Sequence, residues 1–387
     1  MKVEYSAKLK KLPPYLFVEI DRKKKAAIER GVDIISLGVG DPDQPTPDHI
    51  VRAGQEALMK GTNHQYPFGT GLKKYRAAVA QWYDSRFGVS LDADTEVCAL
   101  IGSKEGIGHF HLAFINPGDV VLIPEPGYPV YATGTIFTDG VPYFMPLLEK
   151  NNFLPDFSAI PEDILKKAKV MFINYPNNPT AATADAGFFE TVIAVAKKYN
   201  IIVAHDAAYS EIYYDKKPIS FLSVAGAKEV GVEFHSLSKT YNMTGWRIGW
   251  ACGNADIIKG LATVKENFDS GVFQAIQEAG IAALTGPQDC VEQMRGLYKQ
   301  RRDTLVDGLN GIGWTVRKPS ATFYVWAKVP AGYTSSAVVG KLLDEAGIVC
   351  TPGNGLGTSG EGFVRFALTV DVPRIKEALK RIEKIKW

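Results

Sequence analysis

The chain has 387 residues, 46% hydrophobic and 22% charged, the make-up of a folded globular protein and not of a disordered one. At that length it holds two domains, or one large domain with a smaller companion, and buries enough surface to need neither disulfides nor a structural metal. Its 44 Lys and Arg against 42 Asp and Glu leave a net charge of +2, unlike the basic stripe of a nucleic-acid-binding domain, and no run of eighteen apolar residues is present to cross a membrane.

Residues 1–14 are rich in lysine but lack the continuous apolar stretch of a secretory signal. With the Pro13-Pro14 break and a turn at 38–42, residues 1–44 read as an arm and linker belonging to the smaller domain. The basic run Arg22-Lys23-Lys24-Lys25 reads as the solvated face of a helix. From there a short apolar run, a turn rich in Gly, Pro or Asn, and an amphipathic stretch recur. Strands are predicted at 97–101, 120–123, 141–145, 170–173, 201–204, 232–235 and 248–252. Leu72, Tyr75, Val79 and Trp82 share one helical face, and 107–115 and 188–199 are patterned alike. This alternation predicts an α/β domain over 45–285, its mostly parallel sheet covered by helices on both faces. Near residue 270 the pattern becomes one long helix-like stretch running to about Leu309. A compact α+β domain over 286–387 follows, with strands near 321–326 and 363–368. Cys98, Cys252, Cys290 and Cys350 form no Cys-x-x-Cys pair and read as buried thiols of a reducing compartment, which points to the cytoplasm.

The candidate chemistry lies just past strand ends, where open α/β sheets place their ligands. Gly102-Ser103-Lys104-Glu105-Gly106 follows the first strand and opens a helix, whose free amides and the Ser103 hydroxyl suit a phosphate. The Gly-Lys-Ser/Thr element of a nucleotide loop is missing. His109 and His111 fall two apart on that helix, the wrong spacing for a shared metal face; they read as packing or surface residues, and no metal site is expected. Asn174-Tyr175-Pro176-Asn177-Asn178-Pro179-Thr180 is a proline-rich turn in which Asn178, held extended before Pro179, keeps its amide free to donate. The apolar strand before His205-Asp206-Ala207-Ala208-Tyr209 should carry Asp206 inside, where a carboxylate needs a cation such as a protonated pyridine nitrogen. The Tyr209 phenol could then reach a ring oxygen. Taken alone, Asp206 reads more readily as a helix N-cap.

The sharpest signal is His235-Ser236-Leu237-Ser238-Lys239, followed by Arg247. A lysine beside hydroxyls and a second cation can act as a nucleophilic amine, although a lone lysine in such a place is ordinarily a solvated loop residue. Gly353-Asn354-Gly355-Leu356-Gly357 imitates a dinucleotide fingerprint but leads into a strand, so nucleotide binding is not expected. Phe363-Val364-Arg365-Phe366-Ala367 sets one arginine in an apolar strand. A substrate α-carboxylate would fit its fork, with an edge-facing salt bridge as the equal alternative.

In this order the motifs resemble those of the class I/II aminotransferases of fold type I, dependent on pyridoxal 5'-phosphate, over essentially the whole chain. The resemblance implies a large α/β domain with a mostly parallel seven-stranded sheet between helices, plus a smaller α+β domain. It also implies roles. Lys239 would hold the cofactor covalently and later shuttle a proton at the substrate's Cα, and Asp206 would keep the pyridine nitrogen protonated. Tyr209 and Asn178 would bond the ring's phenolic oxygen, and Tyr128, in Pro126-Gly127-Tyr128, would stack on the ring. Ser103, Lys104, Ser236, Ser238 and Arg247 would surround the phosphate, with Tyr66 supplied by the second subunit of a homodimer. Arg365 would take the α-carboxylate of the amino-acid or 2-oxo-acid substrate, with Gly40 closing over it. Asn178 and Tyr128 would also border the substrate, and Tyr15 and Lys104 would face its far end, where a second polar head needs partners.

Finer motifs are similar to those of the LL-diaminopimelate aminotransferases. They are Leu12-Pro13-Pro14-Tyr15-Leu16-Phe17, Leu37-Gly38-Val39-Gly40-Asp41-Pro42, His64-Gln65-Tyr66-Pro67 and the run from Phe234 to Arg247. They imply amino transfer from glutamate to tetrahydrodipicolinate, in lysine biosynthesis. An alanine- or aspartate-type aminotransferase is the alternative, and a lyase using the same cofactor a further one. A cofactor-binding regulator would carry a fused DNA-binding module, whereas the catalytic pattern here begins by about residue 37. Two positions depart from the family. Ala181 stands where glycine is usual, at a cost of ~1 kcal/mol if φ is positive there. Gln274 stands where the diaminopimelate enzymes carry a substrate-contacting Asn from the partner subunit.

Overall fold

The structure, a computed structural model, describes residues 1–67 and 69–387, and of Phe17 the backbone alone. Seven strands build the central sheet: β1 (Val97–Leu100), β2 (Val120–Glu125), β3 (Val141–Pro146), β4 (Ala168–Asn174), β5 (Ile202–Asp206), β6 (Gly231–Ser236) and β7 (Gly249–Gly253). Their order in space is β1-β7-β6-β5-β4-β2-β3. β2 to β6 run parallel, and β7 alone opposes its two neighbours, β1 and β6. All seven strands expected from the sequence are present, because a parallel sheet covered on both faces needs near-continuous apolar runs such as Val170-Met171-Phe172-Ile173.

Helices Lys73–Phe87, Ala186–Tyr199 and Gln274–Thr285 cover one face, with Tyr75, Val79, Phe189 and Trp250 in its core. Helices Ser103–Phe114, Val130–Phe137 and Ala255–Phe268 cover the other, around Phe110, Tyr131, Phe172 and Phe234. Asp185 caps the Ala186–Tyr199 helix by accepting from Phe188 N at 2.9 Å, and Asn200 ends it at φ 55°.

The long helix expected to reach Leu309 is two, Gln274–Thr285 and Asp289–Gly311. They part at Gly286-Pro287, since proline cannot continue a helix it enters. The second spans two cores: Val291 packs against the large sheet, whereas Leu305, Val306 and Leu309 belong to another core, around β8 (Tyr324–Lys328), β9 (Thr351–Pro352) and β10 (Phe363–Ala367). β8 and β9 both pair antiparallel with β10. The N-terminal segment joins that second core through Ile35 and Leu37, and Ile35–Ser36 pairs in parallel with Ile348–Val349.

Cys98, Cys252 and Cys350 are buried but Cys290 is only half-buried, which corrects the expectation of four interior thiols; all four are free. Arg22, Lys23 and Lys25 are exposed on the Leu16–Glu29 helix, with Lys24 half-buried. Gly353–Leu356 is a single 3₁₀ turn that leads through a second one to β10. Among the described residues no helix is long and apolar enough to cross a membrane.

Candidate active site

The carboxyl ends of β4, β5 and β6, the start of the Ser103–Phe114 helix and the second core enclose a cleft of about 420 Å³. Every residue given a cofactor or substrate role from the sequence lines it except Tyr66, which is exposed and outside the cleft of its own chain.

β6 ends at Ser236, whose Oγ accepts from Ser238 N at 3.1 Å and starts the short Leu237–Thr240 turn that presents Lys239. Lys239 is no solvated loop residue. Its Nζ donates to the carbonyl oxygen of Gly40 at 2.7 Å. Burial pulls its pKa down to about 8; Asp41 opposes this, and Arg365 and Arg247 add to it. Such an amine is neutral in an appreciable fraction at working pH, far more than a free lysine, as a nucleophile or proton carrier requires.

Asp206 is 6% exposed and accepts the Tyr131 hydroxyl at 2.8 Å. The chain after it turns without forming a helix, so the N-cap alternative falls. Burial raises its pKa, against the Tyr131 bond. It makes no ion pair among the described residues, which leaves a buried carboxylate facing the cleft with no cation of its own.

Asn174 ties this end of the sheet together. Its amide donates to Asp206 O at 2.7 Å, and its Oδ1 accepts from Asn178 N at 2.8 Å. The Asn178 Oδ1 in turn accepts Arg365 Nη1 at 2.7 Å, which directs its amide nitrogen elsewhere as a donor. Arg365 is 1% exposed, so it is no edge-facing residue, and Nη2 also donates to Gly38 O at 2.7 Å. Its guanidinium carbon lies 4.3 Å from the centre of the Tyr324 ring. Tyr324 hydrogen-bonds Tyr209 hydroxyl to hydroxyl at 2.9 Å. Asp43 holds the 38–43 segment to the buried Arg301 by two bonds of 2.6 and 2.7 Å.

Opposite lies an anion cradle. Gly102 has φ 75°, and a Cβ there would stand 2.3 Å from Arg247 Nη2, so only glycine lets that guanidinium reach the helix start at Ser103. Ser236 and Ser238 line the same cleft. Lys104 Nζ donates to the Tyr15 hydroxyl at 3.2 Å, beside Tyr128.

Nothing local in the sequence marks Tyr131, Tyr324 or Asn174 for a role: the first two sit in apolar stretches that read as core, and Asn174 belongs to a proline-rich turn. Gln274 opens the Gln274–Thr285 helix outside the cleft, the Phe17 side chain of the N-terminal motif lies outside the described residues, and Ala181 has φ 59°. His111 is buried and stacked on Phe172. His109 gathers with Glu105 and Asp269, where Lys265 Nζ already stands 3.1 Å from Glu105 and 3.0 Å from Asp269.

An amine of lowered pKa, a cradle of amides, hydroxyls and a guanidinium, and a buried carboxylate lacking an ion-pair partner fit a phosphate-bearing pyridine aldehyde. The family model for aminotransferases of class I and II matches residues 32–382. An LL-diaminopimelate aminotransferase of Nitratidesulfovibrio vulgaris is 58% identical over 98% of this chain and 98% of its own. One of Aquifex aeolicus is 57% identical over 99% of each. Among solved structures, substrate-bound BacF of Bacillus subtilis superposes with a TM-score of 0.96 at 39% identity, over 99% of this chain and 98% of that one.

Proposed function

The chain belongs to the class I and II aminotransferases, enzymes that use pyridoxal 5'-phosphate, and from that premise we propose that it transfers the amino group of glutamate to tetrahydrodipicolinate, giving LL-diaminopimelate and 2-oxoglutarate. The observation that carries this choice is the likeness of 58% and 57% to LL-diaminopimelate aminotransferases over nearly the whole of both chains.

When bound, the cofactor supplies a conjugated ring that accepts the electron pair left on the substrate's Cα. The rest is done by side chains. Ser103, Ser236, Ser238 and Arg247 would hold the phosphate, and Tyr128 the ring face. Asp206 would meet the ring nitrogen; a buried carboxylate favours that nitrogen in its protonated form. Tyr209 and the Asn178 amide would donate to the ring's phenolic oxygen. Lys239 Nζ would anchor the cofactor and, once released by the substrate's amine, take the proton from Cα. Arg365 would grip the α-carboxylate with its fork, and Lys104 with Tyr15 would meet the far amino-acid head.

Tyr66, exposed on its own chain, would serve the neighbouring site in a homodimer. We take the chain as a large domain over 45–285 and a small one over 286–387 that includes the 1–44 arm, working in the cytoplasm as its free thiols suggest.

The test is turnover of LL-diaminopimelate with 2-oxoglutarate by the purified, cofactor-loaded protein, beside alanine and aspartate. Diaminopimelate should be the preferred donor. Brisk alanine or aspartate turnover with none for diaminopimelate would reject the substrate, and pyruvate plus ammonia without an acceptor would mean a lyase.

A further inference from the structure

On the sheet face opposite Asp206 lies a buried polar cluster for which the transfer reaction, as described, has no use. His205 and Asp206 are consecutive on β5, so their side chains point to opposite faces. His205 is 1% exposed, and Glu233, its direct partner in the β5–β6 register, is fully buried.

The protonation state follows from the partners. His205 Nε2 lies 3.0 Å from the carbonyl oxygen of Tyr175, which only accepts, so Nε2 carries a hydrogen. Nδ1 lies 2.8 Å from Glu233 Oε1. That oxygen already accepts Phe221 N–H at 2.9 Å, and Oε2 accepts the hydroxyls of Tyr83, at 3.0 Å, and Ser220. A carboxyl ringed by donors is favoured ionised. Hydrogen bonds donated to the carboxylate offset the burial that opposes its charge. An ionised Glu233 gives Nδ1 an acceptor as well. Both ring nitrogens therefore bear hydrogens, which makes the ring a cation.

We propose that His205 is a positioning residue of the transfer site, a buried imidazolium clamped by Glu233 that fixes the exits of β4 and β5 and supports the charge of Asp206. The proposal rests on the aminotransferase reading for what Asp206 does. Tyr175, whose carbonyl the ring grips, opens the loop that carries Asn178 to Arg365. One ring thus pins β4, β5 and β6 at the rim of the cleft. Its positive charge, one residue from Asp206, opposes the burial that disfavours the Asp206 carboxylate. The other titratable groups facing this cluster cannot substitute. Tyr83 is itself a donor to Glu233; Cys252, across from Glu233 on β7, has its thiol pushed well up by burial and stays neutral; and His235, stacked on Trp250, is held by burial at a pKa of about 4 and stays neutral.

The experiment has two arms. In the cofactor-loaded enzyme with ¹⁵N-labelled histidine, His205 should show hydrogens on both ring nitrogens at pH 7.5. Glu233→Gln should leave it one. In the second arm, Glu233→Gln and His205→Gln should each lower kcat about tenfold with KM within about twofold. They should also move the midpoint of the bound cofactor's visible-absorbance titration by about half a pH unit or more. A purely structural role would lower the melting temperature and leave that midpoint in place. A singly protonated ring in the parent enzyme, or an unmoved midpoint in a folded variant, overturns the proposal. The parent reading of the first arm needs no variant to fold and neither arm's spectroscopy needs turnover, so a wrong substrate assignment would leave both readings standing.

Discussion

Nη1 of Arg365 donates to Oδ1 of Asn178 at 2.7 Å, joining the small three-stranded sheet to the loop after β4. The bond consumes the carbonyl end of the Asn178 amide, so one side chain orients both the arginine and its own NH₂ group. Asn178→Asp would put a carboxylate against the guanidinium and compete with the substrate's own. A charge-assisted bond of ~2–3 kcal/mol would be lost, and KM for both substrates should rise roughly 30- to 150-fold. Steady-state kinetics check this; unchanged KM values would remove Arg365 as the α-carboxylate anchor.

Lys239 titrates at about 8 in the folded chain against 10.5 for a free lysine, because burial disfavours its ammonium. Between those values the unfolded chain binds more protons than the folded one. The cost of burying this group is therefore full below about pH 8 and relieved as pH climbs toward 10.5. The cofactor-free protein should take up added pyridoxal phosphate faster as pH rises, with a midpoint near 8. Stopped-flow absorbance reads this, and a midpoint near 10.5 would mean an exposed amine. Lys239→Ala should show no pyridoxyl label after borohydride and no transamination.

Much of this site was legible because α/β sheets deliver their chemistry at strand ends. Ser103, Asp206, Ser236 and Lys239 all follow apolar runs whose burial is dictated by the sheet. What stayed hidden was chemistry embedded in the apolar pattern itself. Tyr324 lies inside β8 among Val325 and Trp326 and looks like core until Tyr209 is found 2.9 Å away. Tyr131 lies on the apolar Val130–Phe137 helix, where nothing local reveals that its hydroxyl meets Asp206. The sequence pattern does not set off the Ala255–Phe268 helix, and the break at Pro287 lies inside a longer amphipathic pattern.

Ala181 stands in the left-handed backbone region that favours glycine. Its φ is 59° and its side chain is buried. Replacing it with glycine relieves ~1 kcal/mol of backbone cost but removes a buried methyl of ~0.8 kcal/mol. Ala181→Gly should therefore change stability by less than ~0.5 kcal/mol and leave kcat alone. Ala181→Val, β-branched at positive φ, should lose ~2–3 kcal/mol in urea denaturation. A valine variant as stable as the parent would contradict the left-handed conformation.

Gly40 stands where no side chain fits. A Cβ there would lie 1.9 Å from the Tyr324 hydroxyl oxygen and 2.7 Å from its Cζ. Tyr324 cannot swing away, since it is buried, bonded to Tyr209 and covered by the Arg365 guanidinium. Gly40→Ala must then displace the 38–43 segment, drawing Gly40 O from Lys239 and Gly38 O from Arg365. A shift of about 1 Å at reacting groups costs on the order of a hundredfold, so kcat/KM should fall by that much with the melting temperature little changed. Adding Tyr324→Phe removes the nearest atom but leaves Cε1 at 2.8 Å, so the double variant should regain only part of the loss. Parent-like kinetics in Gly40→Ala would show that the segment is free to yield, and that its contact with Tyr324 does not govern how Lys239 and Arg365 are held.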